Sequence, residues 1–134
     1  MKQVHLSARY YETDGWVRQE GDHFLVGITD FAQTFFGEVT FLELPKIGTI
    51  LQQGQSFATT ESTKATYDIL APISGKVIDI NQDLLAHPEW INEAPYEKGW
   101  FVKVTINDLN EWNALLTANA YLDSISIFFN KTSW

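Results

Sequence analysis

The 134-residue chain has no cysteine. That absence excludes disulfides, thiolate nucleophiles and cysteine-ligated zinc together, and it fits a reducing compartment. Basic residues are scarce, nine against seventeen acidic ones, and the formal charge of −8 repels phosphate backbones and anionic lipid. No nucleic acid and no membrane surface is therefore expected as a partner. No window approaches the ~20 consecutive apolar residues of a membrane helix, and Met1–Tyr11 lacks the apolar stretch of an export signal. Without such a signal the triplet Asn130-Lys131-Thr132 reads as a chance match to the N-glycosylation pattern, and a cytoplasmic protein is expected. Signatures of common chemistry are missing as well. His5, His23 and His87 show no metal-ligand spacing, no G-x-S-x-G elbow occurs, and neither Gly48 nor Gly54 leads into a Gly-Lys-Ser/Thr element. No metal is expected. No Ser/Gly-rich linker divides the chain, so residues 1–134 are expected to form one domain, and a monomer.

What is present is the composition of a folded protein: 45% hydrophobic and 19% charged residues. Short β-prone runs alternate with turn residues. Trp16–Gln19, His23–Ile28, Glu38–Leu44, Ile47–Leu51, Gln55–Glu61, Ala65–Leu70, Gly75–Ile80 and Trp100–Val104 read as strands. Many short strands with frequent turns predict a mainly β sandwich or partly closed barrel. Two stretches read as helix. Thr29 caps Asp30–Phe36, which Gly37 ends. Leu109, Trp112, Leu115 and Leu116 recur at helical spacing after Asn107 as the cap. Ala86–Tyr96, with two prolines and little periodicity, reads as an ordered loop. The five tryptophans, in so acidic a chain, read as packing residues rather than a base-stacking platform.

The informative segment is Phe57–Asn81, FATTESTKATYDILAPISGKVIDIN. Phe57–Glu61 and Ala65–Leu70 can pair as a hairpin around Ser62-Thr63-Lys64, which puts the Lys64 amine at a solvated tip within reach of another protein's active site. The tip contains no Asn-Gly or Gly-Gly pair, which predicts type I geometry rather than a primed two-residue turn. Pro72 and Gly75 mark a second reversal towards the core. A lone lysine on such a turn is ordinarily a solvated surface residue; the surrounding pattern singles this one out.

Glu61-Ser62-Thr63-Lys64-Ala65, then Ala71-Pro72-Ile73-Ser74-Gly75 and Asn81, closely resembles the lipoyl-attachment segment of the glycine cleavage system H proteins. Gly27-Ile28-Thr29-Asp30-Phe31-Ala32-Gln33 with Gly37-Glu38-Val39, Glu43-Leu44-Pro45 with Gly48, and Asn92 with Pro95-Tyr96 and Gly99-Trp100 are similar to further blocks of that family, in the same order, from about Trp16 to Tyr121. The resemblance implies a mainly β lipoyl/biotinyl-type barrel-sandwich hybrid (hammerhead) with short peripheral helices. It implies lipoate joined by an amide to Lys64, and a non-enzymatic carrier rather than an enzyme. The arm would take an aminomethyl group from a pyridoxal-phosphate glycine decarboxylase to a folate-dependent aminomethyltransferase, with dihydrolipoyl dehydrogenase reoxidising it. A lipoate ligase or an octanoyltransferase would install the arm. Biotin carriers share the architecture, but their lysine normally sits between methionines, whereas Thr63 and Ala65 flank Lys64 and the one methionine is Met1.

The motif residues Glu61, Ser62 and Ala65 are expected to serve arm or partner recognition, Glu61 by guiding the modifying enzyme, although it reads equally as solvated surface charge; Asp68 matches an acidic residue that helps hold the loaded arm in the family. An exposed carboxylate–ammonium pair is worth only ~0–1 kcal/mol, and Asp68 reads equally well as a polar residue on a wet strand face. Two departures stand out. Where the family has His-Glu-Trp, this chain has Asp14-Gly15-Trp16, so an arm-facing carboxylate is lost, and Asp14 on a neighbouring strand position would point the other way. This leaves room for an alternative: an H-like protein that donates or relays lipoyl groups to other lipoate-dependent proteins, or an unmodified interaction domain. The apolar tail 122–134 (LDSISIFFNKTSW) matches no family motif. It reads as an added strand or a clamp over the core, with a docking or self-association patch as the sharper possibility.

Overall fold

The structure, a computed structural model, describes residues 4–12 and 15–132, with the side chains of residues 127–132 outside that description. In chain order the first elements are β1 (Ala8–Tyr11), β2 (Gly15–Glu20), β3 (His23–Ile28), α1 (Asp30–Phe36), β4 (Val39–Glu43) and β5 (Ile50–Leu51). There follow β6 (Ser56–Ser62), β7 (Thr66–Leu70), β8 (Gly75–Ile80), α2 (Gln82–Ala86), α3 (Trp90–Glu93), β9 (Val102–Thr105), α4 (Leu109–Ala114) and α5 (Ala118–Thr132). The strands form a six-stranded sheet in the order β1-β2-β3-β9-β8-β5 and a three-stranded sheet in the order β4-β6-β7. Every pairing is antiparallel.

The main core lies between the two sheets. Val17, Val26, Ile28, Val77, Val102 and Val104 from the large sheet meet Leu42, Ala58 and Ile69 from the small one, closed by Ile73, Phe101 and Leu115. β3 explains the thickness of the molecule. Phe24 to Ile28 are all buried because the strand has apolar partners on both faces: Phe24, Val26 and Ile28 point into the main core, while Leu25 joins a second cluster with Tyr10, Trp16, Phe31, Tyr96, Tyr121 and Ile125. A strand covered on both sides cannot show the polar–apolar alternation of a half-exposed one. Gly27 is required here by contact: a Cβ would lie 2.6 Å from the Trp16 ring.

Several sequence expectations are corrected by tertiary context. β1 was not legible; it is held by pairing with β2 and by reciprocal bonds in which the Tyr10 and Leu116 amides donate to each other's carbonyls at 2.9 and 2.8 Å. Ile47–Leu51 shrinks to the two residues of β5. Ala86–Tyr96 contains the short helix α3 and the last residue of α2. α4 is capped by Asp108, whose carboxylate accepts from the Asn110 amide at 2.9 Å, rather than by Asn107. Residues 122–132 of the tail belong to the helix α5, not to an added strand. Tyr121, just before the tail, and Ile125 within it are buried in the second cluster. The side chains of Ile127, Phe128 and Phe129, and all of Trp134, lie outside the described residues, and the docking reading of the tail falls largely on them. Among the described residues no helix is long and apolar enough to cross a membrane.

The Tyr10 ring stacks on Tyr121 at 4.3 Å, and its hydroxyl donates to the His5 carbonyl at 2.8 Å while accepting from the His5 amide at 2.7 Å. Burial pushes this phenol up from 10.0 to about 12, against the opposing pull of the His5 hydrogen bond and the Arg18 charge; burial raises Tyr96 as well. The unfolded chain releases the Tyr10 proton first, so the associated stability is complete below pH 10 and is lost as pH rises towards 12. Urea unfolding at stepped pH should show stability falling through that window. Tyr10→Phe should lessen the fall, while costing about 1–2 kcal/mol at neutral pH through the lost hydroxyl bonds.

Candidate functional site

β6 and β7 pair from Ser56↔Leu70 to Glu61↔Thr66, which leaves Thr63, Lys64 and Ala65 as the connection after Ser62, the last residue of β6. Ser62 organises it. Its amide donates to the Ala65 carbonyl at 2.9 Å, and its hydroxyl accepts from the Lys64 and Ala65 amides at 3.1 and 3.3 Å. A serine side chain standing in for a backbone acceptor is a familiar turn device. Among the described residues Glu12 is the one non-glycine with positive φ, so the tip contains no primed turn. The Thr63 amide reaches across to the Glu38 carbonyl at 3.3 Å, tying the tip to the start of β4.

Beneath the tip lies the end of α1. Thr29 caps the helix by accepting from the Ala32 amide at 3.0 Å, and Gly37 closes it with φ 75°, a conformation natural to glycine. The Lys64 side chain lies over this glycine. A Cβ there would sit in ordinary contact, 3.6 to 3.9 Å from Lys64 Cε, Cδ and Cγ, so the lysine stem rests over this turn, and positive φ rather than lack of room calls for the glycine. Phe36 stacks on Tyr67 at 4.3 Å and fixes α1 to β7. Asn92, from α3, holds the assembly in register. Its carboxamide nitrogen donates to the Gly37 carbonyl at 2.7 Å and to Gln33 Oε1 at 2.9 Å, and its oxygen accepts from the Val39 amide at 2.9 Å. Beside this turn an open depression of about 470 Å³ is lined by Gln33, Thr34, Gly37, Glu38, Asn92 and Glu93, among others.

The structure brings Glu61, Ser62, Lys64 and Ala65 together at the tip, and all but the half-buried Ser62 are exposed. Asp68 is exposed further down β7, opposite Thr59. Gly15 lies elsewhere, paired with Ile28 and Tyr11. A Cβ on it would come within 2.9 Å of the Pro72 ring, so the direction a side chain would take is already filled. Asp14 lies outside the described residues. The second reversal is pinned by Glu111 of α4, whose carboxylate accepts from the Ser74 amide and hydroxyl at 2.7 and 2.8 Å. The sequence assigns Gly37 the end of α1 but not its contact with the Lys64 stem, and it assigns no role to Asn92. Both stand inside family motifs, and a glycine directly after a helix is the local signal for the positive-φ turn on which the lysine rests.

Two antiparallel sheets enclosing one core, with an exposed lysine at the tip of a hairpin, define a barrel-sandwich hybrid of the lipoyl/biotinyl class. The model of the glycine cleavage H-protein family matches residues 8–127, and the chain belongs to that family. It is 44% identical over 117 residues to the glycine cleavage system H proteins of Geobacillus sp. (strain WCH70) and Bacillus licheniformis, in each case 87% of this chain and 92% of the relative. The crystal structure of a glycine cleavage system H protein from Mycobacterium marinum superposes with a TM-score of 0.79 at 29% identity, over 92% of this chain and 99% of that one.

Asn92→Ala should lower the unfolding free energy by about 2–4 kcal/mol, since the Gly37 carbonyl and Val39 amide lose their partner together. Urea denaturation measures the loss. Hydrogen exchange at the Thr63 amide should quicken more than global destabilisation alone explains, because its acceptor Glu38 sits between the two released groups.

Proposed function

We propose that Lys64 is the covalent attachment site of a lipoyl group and that the chain is a cytoplasmic, non-enzymatic carrier of the glycine cleavage system. In this reading it passes an aminomethyl unit from glycine decarboxylase to the folate-dependent aminomethyltransferase, with dihydrolipoyl dehydrogenase resetting it. The observation that carries the reading is the exposed Lys64 on a tip whose backbone is held by Ser62 and Glu38, in a chain of the H-protein family. The residues fit the group. The lysine stem rests over the turn at Gly37, and the amine is open to a modifying enzyme. A lipoyl group would supply a redox-active sulfur pair to a chain that has no sulfur nucleophile of its own, and the protein supplies presentation and recognition. Tethering replaces free diffusion with a high local concentration at each partner. Glu61, Ser62 and Ala65 serve recognition of the tip, and Asp68 is a carboxylate that an ammonium-bearing arm can meet.

Gly15, backed by Pro72, favours a second reading. With no carboxylate at that position the chain would be a lipoyl donor to other lipoate-dependent proteins rather than an aminomethyl shuttle.

Intact mass after incubation with lipoate, ATP and a lipoate ligase should rise by one lipoyl increment, and Lys64→Arg should gain none. Labelled glycine with glycine decarboxylase should then load the modified chain. Failure to load, together with lipoyl transfer to an apo carrier protein in the presence of a transferase, would select the second reading. No increment under conditions that modify an established H protein would leave an interaction domain.

A further inference from the structure

We infer that the outer face of the β4–β6–β7 sheet is the docking surface for the enzyme that acylates Lys64, and that this partner presents a cationic rim around an apolar pocket for Phe41. The inference rests on Lys64 being acylated. It adds to the tip itself a contact surface on two further strands.

The register defines the face. Phe41, Glu61 and Thr66 form one cross-strand row, and Glu43, Thr59 and Asp68 form the next. Five of these six residues are exposed and Thr59 is half-buried, whereas Leu42, Thr60 and Ile69 from the same strands point inward and are buried. The first row adjoins the tip, because Glu61 and Thr66 are the last pair before Ser62. Phe41 is 49% exposed, and a bulge lets it face outward while Val39, two residues before it, faces inward. Val39 opposes Ser62 and Phe41 opposes Glu61, with Thr40 as the extra residue between them. In a regular strand Val39 and Phe41 would share a face. Here Val39 is 2% exposed and Phe41 faces solvent, a re-aiming that bulges commonly perform.

Charge and reach select the occupant. The three strands carry Glu43, Glu61 and Asp68 on this face and no lysine or arginine anywhere in their length, so a complementary partner brings cations. An aromatic anchor ringed by charge is the usual composition of a recognition hot spot and its rim. An enzyme that reads the end of a long arm can stand off from the protein. The acylating enzyme has only the lysine stem to work with, about 6 Å from Cα to Nζ, and must press against the surface beside the tip. In its reaction with a lipoyl-adenylate, the Lys64 amine forms the C–N amide bond as the acyl C–O bond breaks. AMP leaves with the electron pair, and the amine proton passes to solvent.

The test uses the full apo chain, a purified lipoate–protein ligase and preformed lipoyl-adenylate, with initial rates followed by intact mass. Phe41→Ser should raise KM for the chain by at least ~10-fold with kcat within about twofold of the parent. Phe41→Leu should restore most of the loss. The double variant Glu43→Lys, Asp68→Lys should raise KM and flatten or reverse its dependence on salt, and it keeps the proposal testable should Phe41→Ser melt early. Ile50→Ser, an exposed apolar residue on the far edge of the large sheet, should change nothing. Unchanged KM in both face variants, an equal effect of Ile50→Ser, or loss of kcat at constant KM would each overturn the docking surface. A parent chain that gains no mass at all would instead refute acylation at Lys64.

Discussion

The carboxamide of Asn92 joins three segments that the chain keeps far apart: the helix α3 that carries it, the end of α1, and the first residue of β4. A side-chain amide has two donors and one acceptor oxygen, and here each is engaged. The lysine's seat at Gly37, the carbonyl of Glu38 that receives the tip, and the bulge in β4 all lie within four residues of these bonds. The hairpin does not stand alone, since β4 pairs with β6 as far as Val39 and Ser62 and makes the third strand that a stable sheet needs. Its tip is tied to the start of β4 through Glu38, and Asn92 holds that start against the end of α1, beside the stacking of Phe36 on Tyr67.

Two-sided burial of β3 is the complementary constraint at the centre. One face closes the main core between the sheets, and the other supports a second aromatic cluster under α5. The tail helix therefore completes a layer that β1, β2 and β3 have already begun. The apolar residues Tyr121 and Ile125 have a structural reason that does not involve a partner.

The sequence was most legible where the signal is local. Thr29 and Gly37 bracket α1 at its observed ends, because capping and a positive-φ stop are properties of single residues. The hairpin about Ser62-Thr63-Lys64 was legible because two β-prone runs flank a polar tip. What escaped depends on distant contacts. α3 lies in a proline-bearing stretch with no periodicity, and Ala94, which ends it, accepts through its carbonyl from the Gly99 amide at 2.9 Å. The next residue, Pro95, accepts from the Trp16 indole at 3.0 Å. The tail has the β-branched look of a strand and became a helix because its buried face meets Tyr10 and its neighbours rather than a sheet edge. The cap of α4 moved by one residue, from Asn107 to Asp108, a shift that pattern alone does not resolve. At the candidate site, the position of Lys64 was readable, while the seat beneath it and the outward turn of Phe41 follow from pairing register.

The bulge in β4 also sets how this strand tolerates change in length. Val39 and Leu42 both face inward although three positions separate them, which a regular strand does not permit. Deleting Thr40 would bring them to the spacing of a regular strand, leaving Val39 and Leu42 inside and Phe41 outside. Inserting a residue after Phe41 would instead set the remainder of the strand one step out of phase, sending Leu42 to solvent and Glu43 into the core. Between Gly37 and Pro45, a lineage descended from this chain can shed a residue more easily than it can gain one.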